Sequence, residues 1–480
     1  MKSQIIIYSE SVTPRLTYIL DFIFGKIIGV TYKITSDFQV FLSSDLPKIN
    51  YSFRESDELR VKPSGLLFQK GIEAVDTGYA KWNGMHCLFY NQDGAAIPFD
   101  LFSASFFLLT RYEEYLPYQA DDHGRFSSDQ SIVGKHKFLE EPVVQQWVGF
   151  LLNVLKLKFS NLTEKKQEFK IEPTIDVDVA FAFVYRNFGR FFMSSGRDFT
   201  TLKWNRIIDR ILVTSKSKKD PFDTYSYIEL IHKKYNFPVS VFYLIGDYSH
   251  YDRNIPYDSP EVKGLIKALS DKFSLGIHPS YKAADSADEL KKEINRLGSI
   301  TGNMVTKSRQ HFLRLKFPGT YHRLMQEGIT DDYSMGFHDK PGFRAGIAMP
   351  YPFYDLVNEK ETTLTVHPFA FMERTLKDRL KLDPDMALLK IQELMKKVKS
   401  VNGTFGTLWH NDSLSDYGEW KRWRYVYDVM LSMALPVAEN RKHYIRNRFL
   451  TNVNQPEIIK IQQFNLFLIF FRRKEKPYGL

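Results

Sequence analysis

Cysteine is almost absent: one residue, Cys87, in a chain of 480. That excludes an intramolecular disulfide and leans towards a reducing compartment. Long apolar runs are missing as well. The opening MKSQIIIYSE has no apolar stretch behind a basic segment and no small-residue cleavage site, so the expectation is a cytoplasmic chain without a signal peptide. The longest apolar run towards the end, Leu466–Phe471, falls far short of the ~20 residues a spanning helix needs. A buried strand or helix end is the preferred expectation for it; a peripheral membrane contact beside the basic Arg472, Arg473 and Lys474 is the lesser one. Nor is charge of one sign concentrated: the net +10 arises from 66 basic and 56 acidic residues, scattered except for Lys216–Lys219 and Arg472–Lys476. With no recognisable nucleic-acid module beside it, this excess is not expected to serve nucleic acid; an anionic glycan or membrane leaflet stays open.

What is present is ordinary for a globular protein, with 43% hydrophobic residues, and an aromatic share of 15% that suits a Phe-rich core or a carbohydrate-facing surface. At this length more than one domain is expected. Ile5–Ile7 reads as a short strand. Thr13-Pro14 then caps a helix whose apolar positions, Leu16, Ile19, Leu20, Ile23, Phe24 and Ile27, recur at the spacing of one face. Pro98–Pro117 reads as a dense apolar helix, with Arg111 one turn from Glu114 as a structural pair. A polar loop, Asp121–Arg125, and an apolar helix at Val143–Leu157 follow. Residues 1–165 are therefore expected to form an α+β domain, with Asn161–Glu168 as its boundary and residues 166–480 beyond it.

From Phe169 short apolar strands alternate with amphipathic helices, the pattern of βα units around a parallel sheet or barrel. The expected strands are Lys170–Ile175, Val239–Ile245, Phe273–Ile277, Lys307–Leu313, Thr363–Val366 and Thr404–Trp409; Pro260–Lys272 and Ala287–Leu297 are among the expected helices. Residues able to bind metal or move protons gather at the C-terminal ends of these strands, where a barrel builds its active site. Asp176 and Asp178 are two apart, so alternation sends both to one side, although two loop aspartates could equally cap a helix. His278 ends the next strand but one, Ser308–His311 adds an imidazole and the Arg309 guanidinium, and His410 follows an apolar strand with Asp412 two residues on.

These segments, in this order, resemble the motifs of the polysaccharide deacetylase family. Asn236–Gly246 looks like the family's second-strand segment, Thr174–Asp178 its first motif, Gly276–Tyr281 its second, Ser308–His311 the place of its third-motif Arg, Gly328–Ser334 the segment after that, and Leu408–His410 its last motif. The resemblance covers roughly residues 170–415 and implies an α/β fold: a deacetylase-type (β/α) barrel, complete or missing a strand, with a separate N-terminal α+β domain. The first 165 residues resemble a domain that accompanies such barrels in uncharacterised bacterial proteins, chiefly of Bacteroidetes.

The resemblance further implies a metal-dependent hydrolase that removes an N-acetyl or other non-peptide acyl group from a carbohydrate or glycan precursor. Asp176 would be the general base, His410 the general acid, and Arg309 the residue that orients Asp176 or the substrate. Asp178, His278 and His311 would hold a divalent ion, for which zinc suits the N/O set. Tyr281, Asp332, Trp409 and Asp412 would contact substrate, and Asp412 or Asp332 could also fix the His410 tautomer. The chain departs from the family where a second histidine is expected four residues after His278: Lys282 stands there. A protonated lysine cannot ligate a cation. His311 is the expected replacement, with His367 next in line; weak metal binding, or a barrel that has left this chemistry, are the alternatives. A non-catalytic glycan-binding or scaffold protein on a degenerate barrel is the rival function, and a hydrolase of a small-molecule C–N bond is the third.

Overall fold

The computed structural model describes residues 4–91, 96–185 and 204–436. The chain opens as its pattern requires: β1 (Gln4–Tyr8) is buried, Thr13 accepts a hydrogen bond from Leu16 N at 3.1 Å, and Pro14 starts the helix Pro14–Leu20. The same apolar face continues through a π-helical stretch, Asp21–Ile28, which ends at Gly29 in the left-handed conformation. Strands β2 (Thr31–Thr35), β3 (Lys48–Asn50) and β4 (Leu59–Arg60) join β1 in a parallel sheet of order β2-β1-β3-β4. A hairpin of β5 (Ala80–Trp82) and β6 (Met85–Cys87) precedes two further helices, Leu101–Leu109 and Val143–Lys158.

All nine residues of Leu101–Leu109 are buried, as expected of a helix that is apolar all round. It is shorter than Pro98–Pro117 promised. Arg111 adopts a left-handed conformation (φ 54°) that ends it, and a 3-10 turn, Tyr112–Tyr115, follows. The fully buried Arg111 donates to Glu114 (2.8 Å) and Glu113 (2.7 Å), and Glu114 also receives Nε–H of Arg344 (2.8 Å), from the second half of the chain. Burial alone would push the Glu114 carboxyl up; Arg344 and Arg111 overrule it and hold it below the usual range. The structural pair expected between Arg111 and Glu114 thus becomes a network that ties the two halves together.

The second half is one curled nine-stranded sheet of order β12-β13-β11-β10-β9-β8-β7-β15-β14. Its strands are β7 (Lys170–Val177), β8 (Ser240–Tyr243), β9 (Ser274–Ile277), β10 (Lys307–Ser308), β11 (Asp331–Met335), β12 (Tyr351–Asp355), β13 (Lys360–Pro368), β14 (Phe371–Met372) and β15 (Thr404–His410). All neighbours run parallel except β12, which is antiparallel to β13 at the edge. The two ends of the sheet are joined by the chain itself: β13 pairs with β11, and two residues later β14 pairs with β15. At this crossing Phe369 N donates to Met335 O (3.1 Å) and Ala370 N to Gly406 O (2.8 Å). Only glycine fits opposite it, since a Cβ on Gly406 would lie 2.2 Å from Pro368 O. The result is the expected (β/α) barrel with one strand position fewer than eight, because β13 and β14 share a place.

Helices Tyr225–Tyr235, Pro260–Lys272, Ala287–Thr301, Gly319–Gln326 and Pro384–Ser400 connect successive strands. The step from β11 to β13 has β12 instead of a helix, and the N-terminal region covers that side: Tyr18 donates to Pro352 O (2.8 Å) and its ring lies 4.9 Å from Tyr354. Residues 1–165 carry their own sheet, yet Met1–Ala434 form a single compact unit. The stretch expected at Lys307–Leu313 is a strand only over Lys307–Ser308. Phe312 and Leu313 then take left-handed conformations, and Gln310 N turns to Ser334 Oγ (2.8 Å). Leu466–Phe471 and the basic residues after it lie outside the described residues. Among the described residues no helix is long and apolar enough to cross a membrane.

Candidate metal centre and active site

Alternation along β7 sends Glu172, Thr174 and Asp176 into the curl of the sheet, and Asp178 follows just beyond the strand end. His278 follows β9, His410 ends β15, and His311 follows β10 in a 3-10 turn. The ligand atoms of Asp178, His278 and His311 all lie within 4.8 Å of one another. His278 Nε2 is 3.2 Å from Asp178 Oδ1 and 3.8 Å from Asp176 Oδ2; His311 Nε2 and His410 Nε2 are 3.9 and 3.7 Å from Asp178 Oδ2.

The other nitrogen of each imidazole is committed. His278 Nδ1–H donates to the Arg309 carbonyl (2.7 Å) and His311 Nδ1–H to Asp252 Oδ1 (2.9 Å). Each ring is thereby fixed with Nε2 aimed at the cluster, as metal-binding histidines are held by a hydrogen bond from their other nitrogen. Asp178 Oδ1 and Asp176 Oδ1 are buried with no hydrogen bond among the described residues. A neutral imidazole lone pair and a carboxylate facing each other at 3.2 Å are both acceptors, an arrangement relieved only by a proton or a cation between them. The donor set of one carboxylate and two imidazoles fits a divalent ion such as zinc.

The electrostatics point the same way. Burial would raise the Asp178 carboxyl, but His410, His311 and His278 hold it well below the usual range. Burial would lower His278, but Asp176 and Asp178 raise it. His410 is pushed up to about 9: burial opposes its charge, and Glu373 and Asp178 outweigh that and the repulsion of Arg374. Its Nδ1–H donates to Glu373 Oε1 (2.8 Å), so Glu373 sets this tautomer.

Several sequence expectations are corrected by this placement. Asp412 does not hold His410; it forms an ion pair with Arg374 at 2.7 Å. Nor does Asp332, which is fully buried, bonded to Ser334 and to Tyr321 of the helix Gly319–Gln326, and pushed up to about 6, chiefly by burial. Trp409 is completely buried against Phe371, Trp423 and Tyr427, on the opposite face of β15 from His410, so it cannot meet substrate. Arg309 is 1% exposed and sits behind Asp176, with Nε 3.8 Å from Oδ1 and Nη2 donating to Thr174 (2.7 Å). It can orient Asp176 but not touch substrate. Tyr281 stands beside the mouth, stacked on Tyr251 at 4.0 Å, with His123 Nδ1 3.2 Å from its hydroxyl. Lys282 points into solvent, 75% exposed and paired with Glu289.

The cluster opens into a cleft of about 570 Å³. Asp176, Asp178, His278, His311 and His410 line it, with Arg374 and the rim residues Tyr251 and Arg379. Arg125 of the N-terminal region also lines it, held by Asp121 (2.8 Å) and donating to Phe312 O (2.9 Å). Sequence reasoning missed Asp252, Glu373 and Arg125. A Glu directly after β14 and an Asp in a loop leaving β8 were signals of position, though not of partner.

A profile of a family of unknown function, DUF7033, matches residues 5–160. No curated protein matches the chain. Among solved structures the chain is similar to a Mycobacterium smegmatis protein assigned to the polysaccharide deacetylases, with 15% identity over 61% of this chain and 96% of that one and a TM-score of 0.36. It is similar to an allantoinase at 11% identity, over 58% of this chain and 90% of the other, with a TM-score of 0.36. It is also similar to a CE4 family pseudoenzyme from Bacillus anthracis at 13% identity, over 56% and 60% of the two chains, with a TM-score of 0.27.

Proposed function

We propose that the chain is a metal-dependent deacetylase that hydrolyses an N-acyl group on a carbohydrate or glycan precursor. The observation that carries this is the convergence of His278 and His311, each fixed through Nδ1, on Asp178 at the mouth of a cleft that also presents Asp176 and His410. A divalent ion held by Asp178, His278 and His311 would polarise the acyl carbonyl and acidify an attacking water.

The chain's own groups supply the proton transfers. Asp176 is 2% exposed and keeps Oδ1 without a hydrogen bond, so it is free to accept the proton of the attacking water. Arg309 stands behind it and fixes its orientation, its guanidinium 5.0 Å from the Phe242 ring and 5.4 Å from that of Phe369. Glu373, which accepts from Nδ1–H on the far side of the ring, favours the protonated form of His410 and leaves its Nε2 facing the cleft. His410 is therefore the donor to the leaving amine. The separation of an acceptor on one side of Asp178 from a donor on the other is what amide hydrolysis requires.

The test pairs elemental analysis of the purified protein with turnover of N-acetylated sugars. We expect close to one divalent ion per chain, lost in Asp178→Asn, and turnover lost in Asp176→Asn with the metal retained. A protein that carries no metal and turns over no acetylated sugar would instead be a glycan-binding scaffold, and unchanged turnover in Asp176→Asn would remove the mechanism.

A further inference from the structure

The arginines of this molecule are generally paired. On the outer surface Arg422 meets Asp385 (2.8 Å), Arg296 meets Asp247 (2.9 Å) and Arg314 meets Asp285 (2.6 Å). Within the cleft Arg125 is tied to Asp121 and Arg374 to Asp412. Two lining arginines break the pattern. Arg253, in the loop after β8, donates only to the His250 carbonyl (3.3 Å), and Arg379, after β14, has no hydrogen bond or ion pair among the described residues.

Carboxylates on the same segment or packed against it have other partners. Asp378 is paired with Lys377 (3.0 Å), Glu419 with Lys377 (2.8 Å), and Asp339 accepts from Ser128 Oγ (2.7 Å). Arg379 stands near Arg125 and His338 on a wall of mixed charge, where Asp121 is taken by Arg125. Arg379 acts against the charge of Arg125 and His338, two other cleft residues; His338 is pushed down to about 4, first by burial and then by Arg125, with Asp339 and Asp121 opposing and Arg379 adding the smallest part. A guanidinium at a cleft wall with no ion pair of its own attracts an anion, and guanidinium groups bind phosphate and carboxylate through two parallel hydrogen bonds.

We infer that the substrate carries an anionic group, a phosphate or a carboxylate, which Arg379 binds at the rim of the cleft, on the wall to which the N-terminal region contributes Arg125. This rests on the deacetylase reading for the identity of the acyl-bearing part, and adds to it the class of substrate: a charged sugar rather than a neutral one. It also gives the N-terminal region a part in selection, because Arg125 comes from its Asp121–Arg125 loop, which is docked on the barrel through Phe312 O.

The experiment has two arms on the full chain. In the first, inorganic phosphate is titrated calorimetrically into the wild type, Arg379→Gln and Asp178→Asn. Loss of one charge-assisted contact should weaken phosphate by about tenfold or more in Arg379→Gln, while Asp178→Asn stays within about threefold. Equal affinity in wild type and Arg379→Gln, no phosphate binding at all, or loss in Asp178→Asn alone overturns the inference. In the second arm, turnover of N-acetylglucosamine 1-phosphate and of N-acetylmuramic acid is compared with that of N-acetylglucosamine. Preference for the phosphate or for the carboxylate tells which anion is read, and its ratio over the neutral sugar should fall about tenfold in Arg379→Gln; an unchanged ratio removes the substrate claim. Turnover of none of the three, with phosphate binding still dependent on Arg379, removes the deacetylase reading and leaves the anion site standing.

Discussion

The barrel holds two histidine–carboxylate groups built from the same residue types, and they do opposite things. At the mouth, His278 and His311 each commit one ring nitrogen and leave Nε2 facing Asp178. Lower down, His367 commits both: Nδ1 to Glu172 (3.0 Å) and Nε2 to Asp331 (2.8 Å), with its ring stacked on Tyr333 at 4.1 Å. Glu172 lies four residues before Asp176 on β7, about 13 Å along the strand. The lower group is a closed triad in which a proton plays the part of the cation, since Asp331 and Glu172 overcome burial and push His367 up to about 9. The upper group has acceptors facing acceptors. The difference lies in how many ring nitrogens the surroundings satisfy, and it removes His367 as a third ligand.

The largest effect that would break this contrast is on metal content. His278→Gln should lose the bound ion and with it all measurable turnover, whereas His367→Gln should keep the ion, because a saturated imidazole has no lone pair to give. Metal analysis of the two variants side by side decides it. If His367→Gln also releases the metal, the two groups are not independent.

Next in size is the proton donor. His410→Ala should slow turnover by about 10²–10⁴-fold with the metal retained. Glu373→Gln tests the same group from behind: with Glu373 the leading influence that raises His410, the alkaline limb of the pH–rate profile should move to lower pH. An unmoved limb would mean another group is the donor. Smaller again is Asp252→Asn, which leaves all three ligands in place but loosens the His311 ring; metal affinity should fall by about 10–100-fold, read by competition with a chelator.

How much of this was legible beforehand differs between strands and loops. The βα rhythm after Phe169 and the positions of Asp176, Asp178, His278 and His410 follow from two-residue alternation and from strand ends, both written locally in the chain. The same alternation would have placed Trp409 on the face opposite His410, so its expected contact with substrate broke a rule the sequence already stated. Glu373, Asp252 and Arg125 were not legible in this way. They stand in irregular segments, and their importance comes from a partner distant in sequence: 37 residues from Glu373 to His410, 59 from Asp252 to His311, 187 from Arg125 to Phe312. The closure of the sheet was hidden for a related reason, because β13 and β14 look like one strand until Gly406 lets the crossing pass.

The smallest expected effect concerns the lower triad, and it is a matter of stability rather than chemistry. His367 titrates near its ordinary 6.5 in the unfolded chain and at about 9 in the folded one, so the folded state binds this proton more tightly. Its stabilisation is complete below about pH 6.5 and is lost as pH rises through 9. Asp331 behaves in the opposite sense. Burial raises its carboxyl, the bond from His367 and the hydroxyl of Thr330 outweigh that, and its contribution is present above about pH 4 and lost on acidification. The triad should therefore stabilise most between about pH 4 and 6.5. In that window His367→Gln, which leaves two half-buried carboxylates without their cation, should cost about 1–3 kcal/mol in urea unfolding. The gap between wild type and variant should then narrow as pH approaches 9, where the wild type gives up the same proton. A gap independent of pH would mean that His367 acts by packing on Tyr333 and not by charge.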